Sequence, residues 1–389
     1  MSILVSAKTL PRDAIRASPA SGPAVSYFVE RCDGAQGLLT ALAGAPDEAT
    51  VFQTRAWLTP LIEVVSTRAG ARPLALVVRA ARTGELAMIL PLVEFEDGGI
   101  RVAAFPSFGL SDYGGPILGP AAPADAAAAA ALRQSILDAL DGTDVLRLEN
   151  MPAAIEGRPN PLTLTAGVTV SRHSSHRLDI PGTIEERLKE RGKRYKKEVA
   201  RSYRLLEKEG PWSFTRAEIS DEITAIYAVL EEQQRARRAG EIYRLDRPGY
   251  ARFYERIVRE GTPCGRAHLF ALKSGDEIIA TLLGVTHRGV FTALRITSAG
   301  ERWSHVSPGR LIAVEAMRYF LGRGVRRFDF GIGDYAFKDR IGASPASLTD
   351  LIVPLTWRGW PAVVASRVRA WVRRNPRLAA FLRVLKGGP

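Results

Sequence analysis

Three neighbouring runs in the second half of the chain restrict its fold most. Residues 267–273, 278–286 and 290–297 are rich in aliphatic and aromatic side chains, and between them stand Ser274-Gly275-Asp276 and Arg288-Gly289. Short glycine-containing connections of this kind join antiparallel strands. The spacing therefore predicts a three-stranded meander. A helix over 308–321, ended by Gly322, and a strand over 326–330 follow. A meander, one helix and a crossing strand make a mixed α/β layout. It excludes a TIM barrel, which needs eight regular βα units. The sequence also argues against a dinucleotide-binding fold, because Gly322-Arg-Gly324 and Gly331-Ile-Gly333 stop short of Gly-x-Gly-x-x-Gly. With no Gly-x-Ser-x-Gly elbow and no P-loop, serine hydrolases and P-loop NTPases drop out.

The same alternation is expected elsewhere. Strands are predicted over 73–79, 86–93, 100–105, 145–148, 176–180, 212–216 and 351–355, and helices over 51–68, 124–140, 185–209, 221–238 and 247–260. A short helical stretch is expected at 335–340. Prolines and glycines between Met151 and Gly167 predict a linker. The expected organisation is an N-terminal arm and lead-in over 1–45, one half over 46–168, a second over 169–356, and a basic amphipathic tail over 357–389.

The chain of 389 residues has a formal net charge of +13 at pH 7. Residues 1–165 hold 13 Lys/Arg against 17 Asp/Glu, residues 166–356 hold 33 against 24, and residues 357–389 hold 8 against none. The positive field belongs to the second half and the tail. It suits anionic partners: phosphorylated cofactors, nucleic acid or anionic lipid. A solubilising arginine-rich surface gives the same counts. Two distant cysteines, Cys32 and Cys264, argue against a disulfide framework or a thiolate zinc site and fit a reducing compartment. No metal is expected, since His173-x-x-His176 lacks a third ligand at suitable spacing. No run approaches the ~20 apolar residues of a membrane helix, so the expected location is the cytoplasm. In the tail, Val363, Val364, Val368, Trp371, Val372, Leu378, Phe381, Leu382 and Leu385 among arginines suggest helices interrupted near Pro376, docked on the protein or lying at the inner face of an anionic membrane.

Ser307-Pro308-Gly309-Arg310 reads as a helix start. Serine is a good N-cap and proline suits the first helical position. The amides of Gly309, Arg310 and Leu311 would then point out of the helix and, with its dipole, form an anion site, with Arg310 as a charged fork. Just beyond the helix stand Asp329, Asp334, Tyr335 and Lys338. A carboxylate there can take the proton of an attacking amine, Tyr335 can protonate a leaving thiolate, and Lys338 can hold phosphate or an oxyanion. His305 is a further candidate base. Residues 187–204 carry nine basic and two acidic side chains. From that stripe Arg194, Lys197 and Arg201 are candidate contacts for an anionic substrate, as an alternative to a merely solvated face. Asp112 and Tyr113 are candidates to line a cleft between the halves.

Several strings resemble the CelD-type acetyltransferase-like proteins of the GNAT superfamily. They are Ser307-Pro-Gly-Arg-Leu-Ile312, Arg326-Arg-Phe-Asp-Phe-Gly-Ile-Gly-Asp-Tyr-Ala-Phe-Lys338 and the arginine-rich 191–201, together with Phe52-Gln-x-x-x-Trp57, Leu90-Pro-Leu92 and Ser111-Asp-Tyr113. The resemblance covers most of residues 50–355. It implies two GNAT-like halves in tandem, as in the FemAB-type aminoacyltransferases, and acyl transfer from acetyl-CoA or another acyl-CoA to an amine or sugar. The acceptor would be a small molecule or a glycan- or lipid-linked group, as in exopolysaccharide or envelope synthesis. In that family the helix start at Ser307 would hold the coenzyme A pyrophosphate, although His305-Val-Ser-Pro-Gly-Arg310 departs from the usual Arg/Gln-x-x-Gly-x-Gly/Ala loop. Two alternatives stand beside it: aminoacyl transfer from transfer RNA, and a non-catalytic accessory at a membrane surface.

Overall fold

The chain builds one arrangement twice. The computed structural model describes residues 26–66, 70–180, 182–183, 186, 192–237, 249–333 and 336–374. The first half comprises β1 (Tyr27–Asp33), α1 (Gly34–Ala43), α2 (Arg55–Leu61), β2 (Arg72–Ala80), β3 (Leu86–Asp97), β4 (Ile100–Ala104), the short β5 (Ile117–Leu118), α3 (Ala126–Asp138) and β6 (Val145–Pro152). Two short strands, β7 (Ala154–Ile155) and β8 (Arg158–Pro159), lead to β9 (Val168–Asp179) and α4 (Gly192–Glu209). The second half comprises β10 (Trp212–Arg216), α5 (Ser220–Arg237), α6 (Tyr250–Gly261), β11 (Ala267–Ser274), β12 (Glu277–His287), β13 (Val290–Ser298), α7 (Pro308–Phe320) and β14 (Arg327–Ile332). It is followed by α8 (Ala336–Ile341), β15 (Ser344–Pro354) and α9 (Trp360–Arg374). Each half is thus a strand, two helices, a meander, a helix and a strand that returns parallel to the meander's last member. The parallel pairs are β4 with β6 and β13 with β14.

All the long strands join one sheet, in the order β1-β2-β3-β4-β6-β15-β9-β14-β13-β12-β11-β10. The halves meet where β15 pairs antiparallel with β9. The connection is crossed: β15, from the C-terminal part of the chain, also pairs with β6 of the first half, and β9 pairs with β14 of the second. One core lies between α3 and the first meander, with Leu132, Ile136, Leu90 and Leu146. A second lies under α7, with Phe270, Phe291, Phe320 and Phe328. A third spans the halves, and in it Trp57 meets Phe253 edge-on at 5.0 Å. Aromatic pairs of this kind fix geometry as well as burying area.

Several segments differ from expectation. Residues 27–43 of the expected lead-in form β1 and α1, and β1 is an edge strand paired along its length with β2. The expected 51–68 helix is broken into a 3-10 turn (Val51–Gln53), α2 and a π turn (Ile62–Ser66), with Pro60 inside α2 removing one backbone donor. Residues 151–167 carry a small hairpin and a 3-10 turn (Pro161–Leu164) that bury Asn160 and Leu162, rather than a plain linker. β9 starts at Val168 and β15 at Ser344, both earlier than their apolar residues suggest. Residues 187–191 of the basic stripe lie outside the described residues.

Candidate functional site

The site begins where two parallel strands part. β13 and β14 pair only at Val290↔Arg327, Phe291↔Phe328 and Thr292↔Asp329. Beyond these, β13 runs on to Ser298 and β14 to Ile332 without pairing to each other. β13 is also bent against β12, where the register shifts at Leu283/Gly284. A Cβ on Gly284 would lie 2.1 Å from the Phe291 ring, so only glycine lets that ring pack there.

Alternation along β14 sends Phe328 and Phe330 to the core under α7 and Asp329 to the opposite face. Asp329 is 2% exposed, and both its oxygens are engaged. Oδ1 accepts from the Tyr113 hydroxyl at 2.6 Å and the Gly331 N–H at 2.8 Å, and Oδ2 accepts from Arg177 Nε at 3.0 Å. Arg177 stands directly opposite Asp329 in the β14–β9 register, and its guanidinium lies 5.3 Å from the centre of the Tyr113 ring. Burial works to lower the Arg177 pKa, but Asp329 and Tyr113 together outweigh it and the value is raised. Burial and then Asp329 push the Tyr113 phenol well above its usual range.

Tyr113 and its neighbour Asp112 come from the first half, on the stretch between β4 and β5. That stretch turns at Ser107–Leu110, with Phe108 and Gly109 both at positive φ and Leu110 N–H donating to Ser107 O at 2.7 Å. Trp57 Nε1 donates to Ser111 Oγ at 2.8 Å, Gln53 Nε2 donates to Tyr113 O at 3.0 Å, and the Phe52 ring packs edge-on to Tyr113. The Phe52-Gln-x-x-x-Trp57 string thus anchors the segment that carries Asp112 and Tyr113 into the second half.

Asp112 is only partly exposed and accepts from the Ile332 N–H at 3.2 Å. A Cβ on Gly331 would fall 1.9 Å from its Oδ2, so glycine is required there. Burial pushes the Asp112 carboxyl up to about 6; Asp329 adds to the rise, while Arg295, the Ile332 N–H and Lys338 oppose it. Arg295, on the diverging part of β13, lies over the Tyr254 ring and donates to its hydroxyl at 2.6 Å. Lys338 is 2% exposed, and its Nζ donates to the carbonyls of Gly331 at 3.0 Å and Ile332 at 2.8 Å. It braces the end of β14. The structure therefore brings Asp112, Tyr113, Asp329 and Lys338 together. Asp334 and Tyr335 lie outside the described residues.

The start of α7 differs from expectation. Ser307 is left-handed at φ 58°, and its side chain caps nothing. A capping serine needs extended backbone to reach the amides ahead of it. The Arg310 and Leu311 N–H groups both donate to the Ser307 carbonyl, at 3.0 and 3.3 Å. Of the three amides expected to be free, only that of Gly309 has no acceptor among the described residues. Gly309 lies beside Ile296 on the diverging part of β13, which puts this residue next to the parted strands. The Leu311 side chain is core, and Arg310 sits 3.7 Å from Glu198 of α4. His305 does not join the carboxylates: its Nε2 is 3.1 Å from Glu209, and its Nδ1 is 2.9 Å from the Arg302 carbonyl. Arg194, Lys197 and Arg201 are exposed on α4, whose buried face is Tyr195, Val199 and Leu206.

Residues 193–339 match the family model of an acetyltransferase (GNAT) domain. That span contains the meander, the parted strands, α7 and Lys338. No curated protein sequence matches the chain. Among solved structures, FemX is similar with TM-score 0.54 at 13% identity, covering 82% of this chain and 96% of that one. The C-terminal domain of a putative lysylphosphatidylglycerol synthetase from Agrobacterium fabrum aligns at TM-score 0.49 and 11% identity, over 85% and 93% of the two chains. A tandem GNAT protein from the clavulanic acid biosynthesis pathway aligns at 0.45 and 16%, over 84% and 99%. The fold is mixed α/β, with a GNAT domain in its second half. Among the described residues no group of three or more His, Cys, Asp or Glu is placed to hold a metal ion.

Arg177, Arg295 and Gly331 were not foreseen as site residues. The signal for Arg177 was present in a weak form: a carboxylate inside Phe328-Asp-Phe330 needs a cation once it is buried.

Proposed function

We propose that the chain is an acyltransferase that moves an acyl group from a coenzyme A thioester to an amine or sugar acceptor by direct attack. The observation that carries this reading is the parting of β13 and β14 beside both the Gly309 amide and the Asp112 carboxyl. The donor would lie in the parted strands, with its phosphates at Gly309 and Arg310. The acceptor nitrogen or oxygen would attack the thioester carbonyl; the new C–N or C–O bond forms, the C–S bond breaks, and the acceptor's proton passes to Asp112. A carboxyl raised to about 6 is matched to that task near neutral pH. Asp329, held by three donors, acts as a positioning residue for Tyr113 and the Asp112 segment. Both cysteines make contacts elsewhere, Cys32 with Glu30 and Cys264 with backbone carbonyls, which favours attack without a covalent enzyme intermediate. In this reading the second half binds the donor and the first half supplies the base and shapes the acceptor site. An acceptor from exopolysaccharide or envelope synthesis is suggested by the family resemblance.

The test is release of free coenzyme A from acetyl-CoA over a panel of amines and amino sugars. The expected result is acceptor-dependent release that Asp112→Asn lowers by about 100-fold or more. Release that is indifferent to this substitution would remove Asp112 from the chemistry. Exposed Lys193, Arg194, Lys196, Lys197, Arg201 and Arg204 on α4 favour a second reading, with aminoacylated transfer RNA as donor. Tight, steeply salt-dependent binding of charged transfer RNA, together with no response to acetyl-CoA, would select it.

A further inference from the structure

We infer that α9 is a membrane-surface helix that seats the protein on an anionic bilayer. The inner side of the helix is fixed on the sheet. Val363 is 1% exposed, and Ala362 packs against the buried cluster of Val102, Ala104 and Val145. The approach is close: a Cβ on Gly359 would lie 2.2 Å from the Asp144 carbonyl, and Asp144 accepts bonds from the Thr356 hydroxyl and the Arg101 N–H. Because the inner side is held, the outer side has a fixed direction.

That outer side carries Trp360, Val364, Val368 and Trp371, exposed by 52, 51, 51 and 59%, and the 3-10 turn just before the helix carries Trp357, exposed by 82%. These are five of the nine large apolar side chains exposed among the described residues. From Trp360 onward the spacing is four, four and three residues, which puts them on one stripe of a helix. An apolar stripe concentrated in this way marks an interaction surface.

The charge identifies the partner. Residues 357–389 hold eight Lys/Arg and no Asp/Glu, and Arg367 is exposed on the helix itself. Tryptophan with arginine suits the boundary between headgroups and acyl chains, and the cations suit anionic headgroups. Among the described residues no helix is long and apolar enough to cross a membrane, so the helix would lie along the surface. A second copy of the chain fits less well. A two-fold contact through this face would bring Arg367 of both copies to the same apolar stripe, and residues 357–389 hold no acid to pair them.

The test is co-sedimentation of the full chain with phosphatidylcholine vesicles, with and without phosphatidylglycerol. The expected result is binding that requires phosphatidylglycerol, weakens with salt and shifts tryptophan emission to the blue. W360S/V364S/V368S should weaken it at least about tenfold, and R367Q should weaken it less. Because the substituted side chains are exposed, the melting temperature should stay unchanged, and R367Q provides a check that does not alter the apolar stripe. Three results would overturn the inference: no binding to phosphatidylglycerol vesicles at low salt, equal binding to pure phosphatidylcholine, or full binding by the triple variant. Self-association abolished by the triple variant, without vesicle binding, would assign the face to a second copy instead. None of these outcomes depends on the acyltransferase reading.

Discussion

Asp112 and Asp329 share one cluster but have opposite surroundings. Asp329 has an arginine, a phenol and an amide; Asp112 has one amide and a tight fit against Gly331. Burial therefore dominates at Asp112 and lifts its carboxyl from 3.8 to about 6. A carboxyl raised in the folded state adds stability that is fully present below 3.8 and lost as pH climbs through about 6. Asparagine cannot ionise, so Asp112→Asn should gain roughly 2–3 kcal/mol relative to the unaltered chain between pH 4 and pH 7. Urea unfolding at the two pH values measures this, and a constant difference would show that burial does not control the group. At this scale the sequence was informative for acids and poor for their partners. Asp329 stood out between two phenylalanines, and Asp112 in a glycine-rich loop. Arg177 did not, because its place opposite Asp329 comes from strand register between residues 152 apart.

Among the elements, β15 carries the most consequence. It lies inside the sheet, with β6 on one side and β9 on the other, and so closes a pairing edge of each half. A chain ending at Gly342 would expose both edges, and open edges recruit other chains. The expected outcome is insoluble or aggregated protein, read by size-exclusion chromatography; a monodisperse monomer would contradict it. The meander was legible because Ser274-Gly275-Asp276 and Arg288-Gly289 force tight turns between apolar runs. The early parts of β9 and β15 were not. Ser344-Pro-Ala-Ser pairs with Ser174, Ser175, His176 and Arg177, so polar backbone is held by pairing rather than by apolar periodicity. β1 and α1 were missed for a related reason, since an edge strand with partly exposed residues and a helix starting Gly34-Ala-Gln-Gly37 carry little pattern. At the start of α7 the sequence marked where the helix begins but not how it is capped: left-handed Ser307 makes no side-chain cap.

For the whole molecule, the crossed strands and the shared Trp57–Phe253 core make the two halves depend on each other. Thermal unfolding should therefore be one cooperative transition, with calorimetric and van't Hoff enthalpies in agreement. Two resolved transitions would mean that the halves fold as separate units. The same dependence shapes the site, because the second half provides the parted strands and Gly309 while the first half reaches across with Asp112 and Tyr113. The most direct test of this account is calorimetric titration of acetyl-CoA into the chain and into Gly309→Glu. A carboxylate placed at that amide should repel the donor's phosphates, and the space beside Ile296 admits a Cβ without collision. The account predicts saturable binding by the unaltered chain, weakened at least about tenfold in the variant, with little change in melting temperature. No heat at millimolar acetyl-CoA, or equal affinity in both proteins, would contradict it.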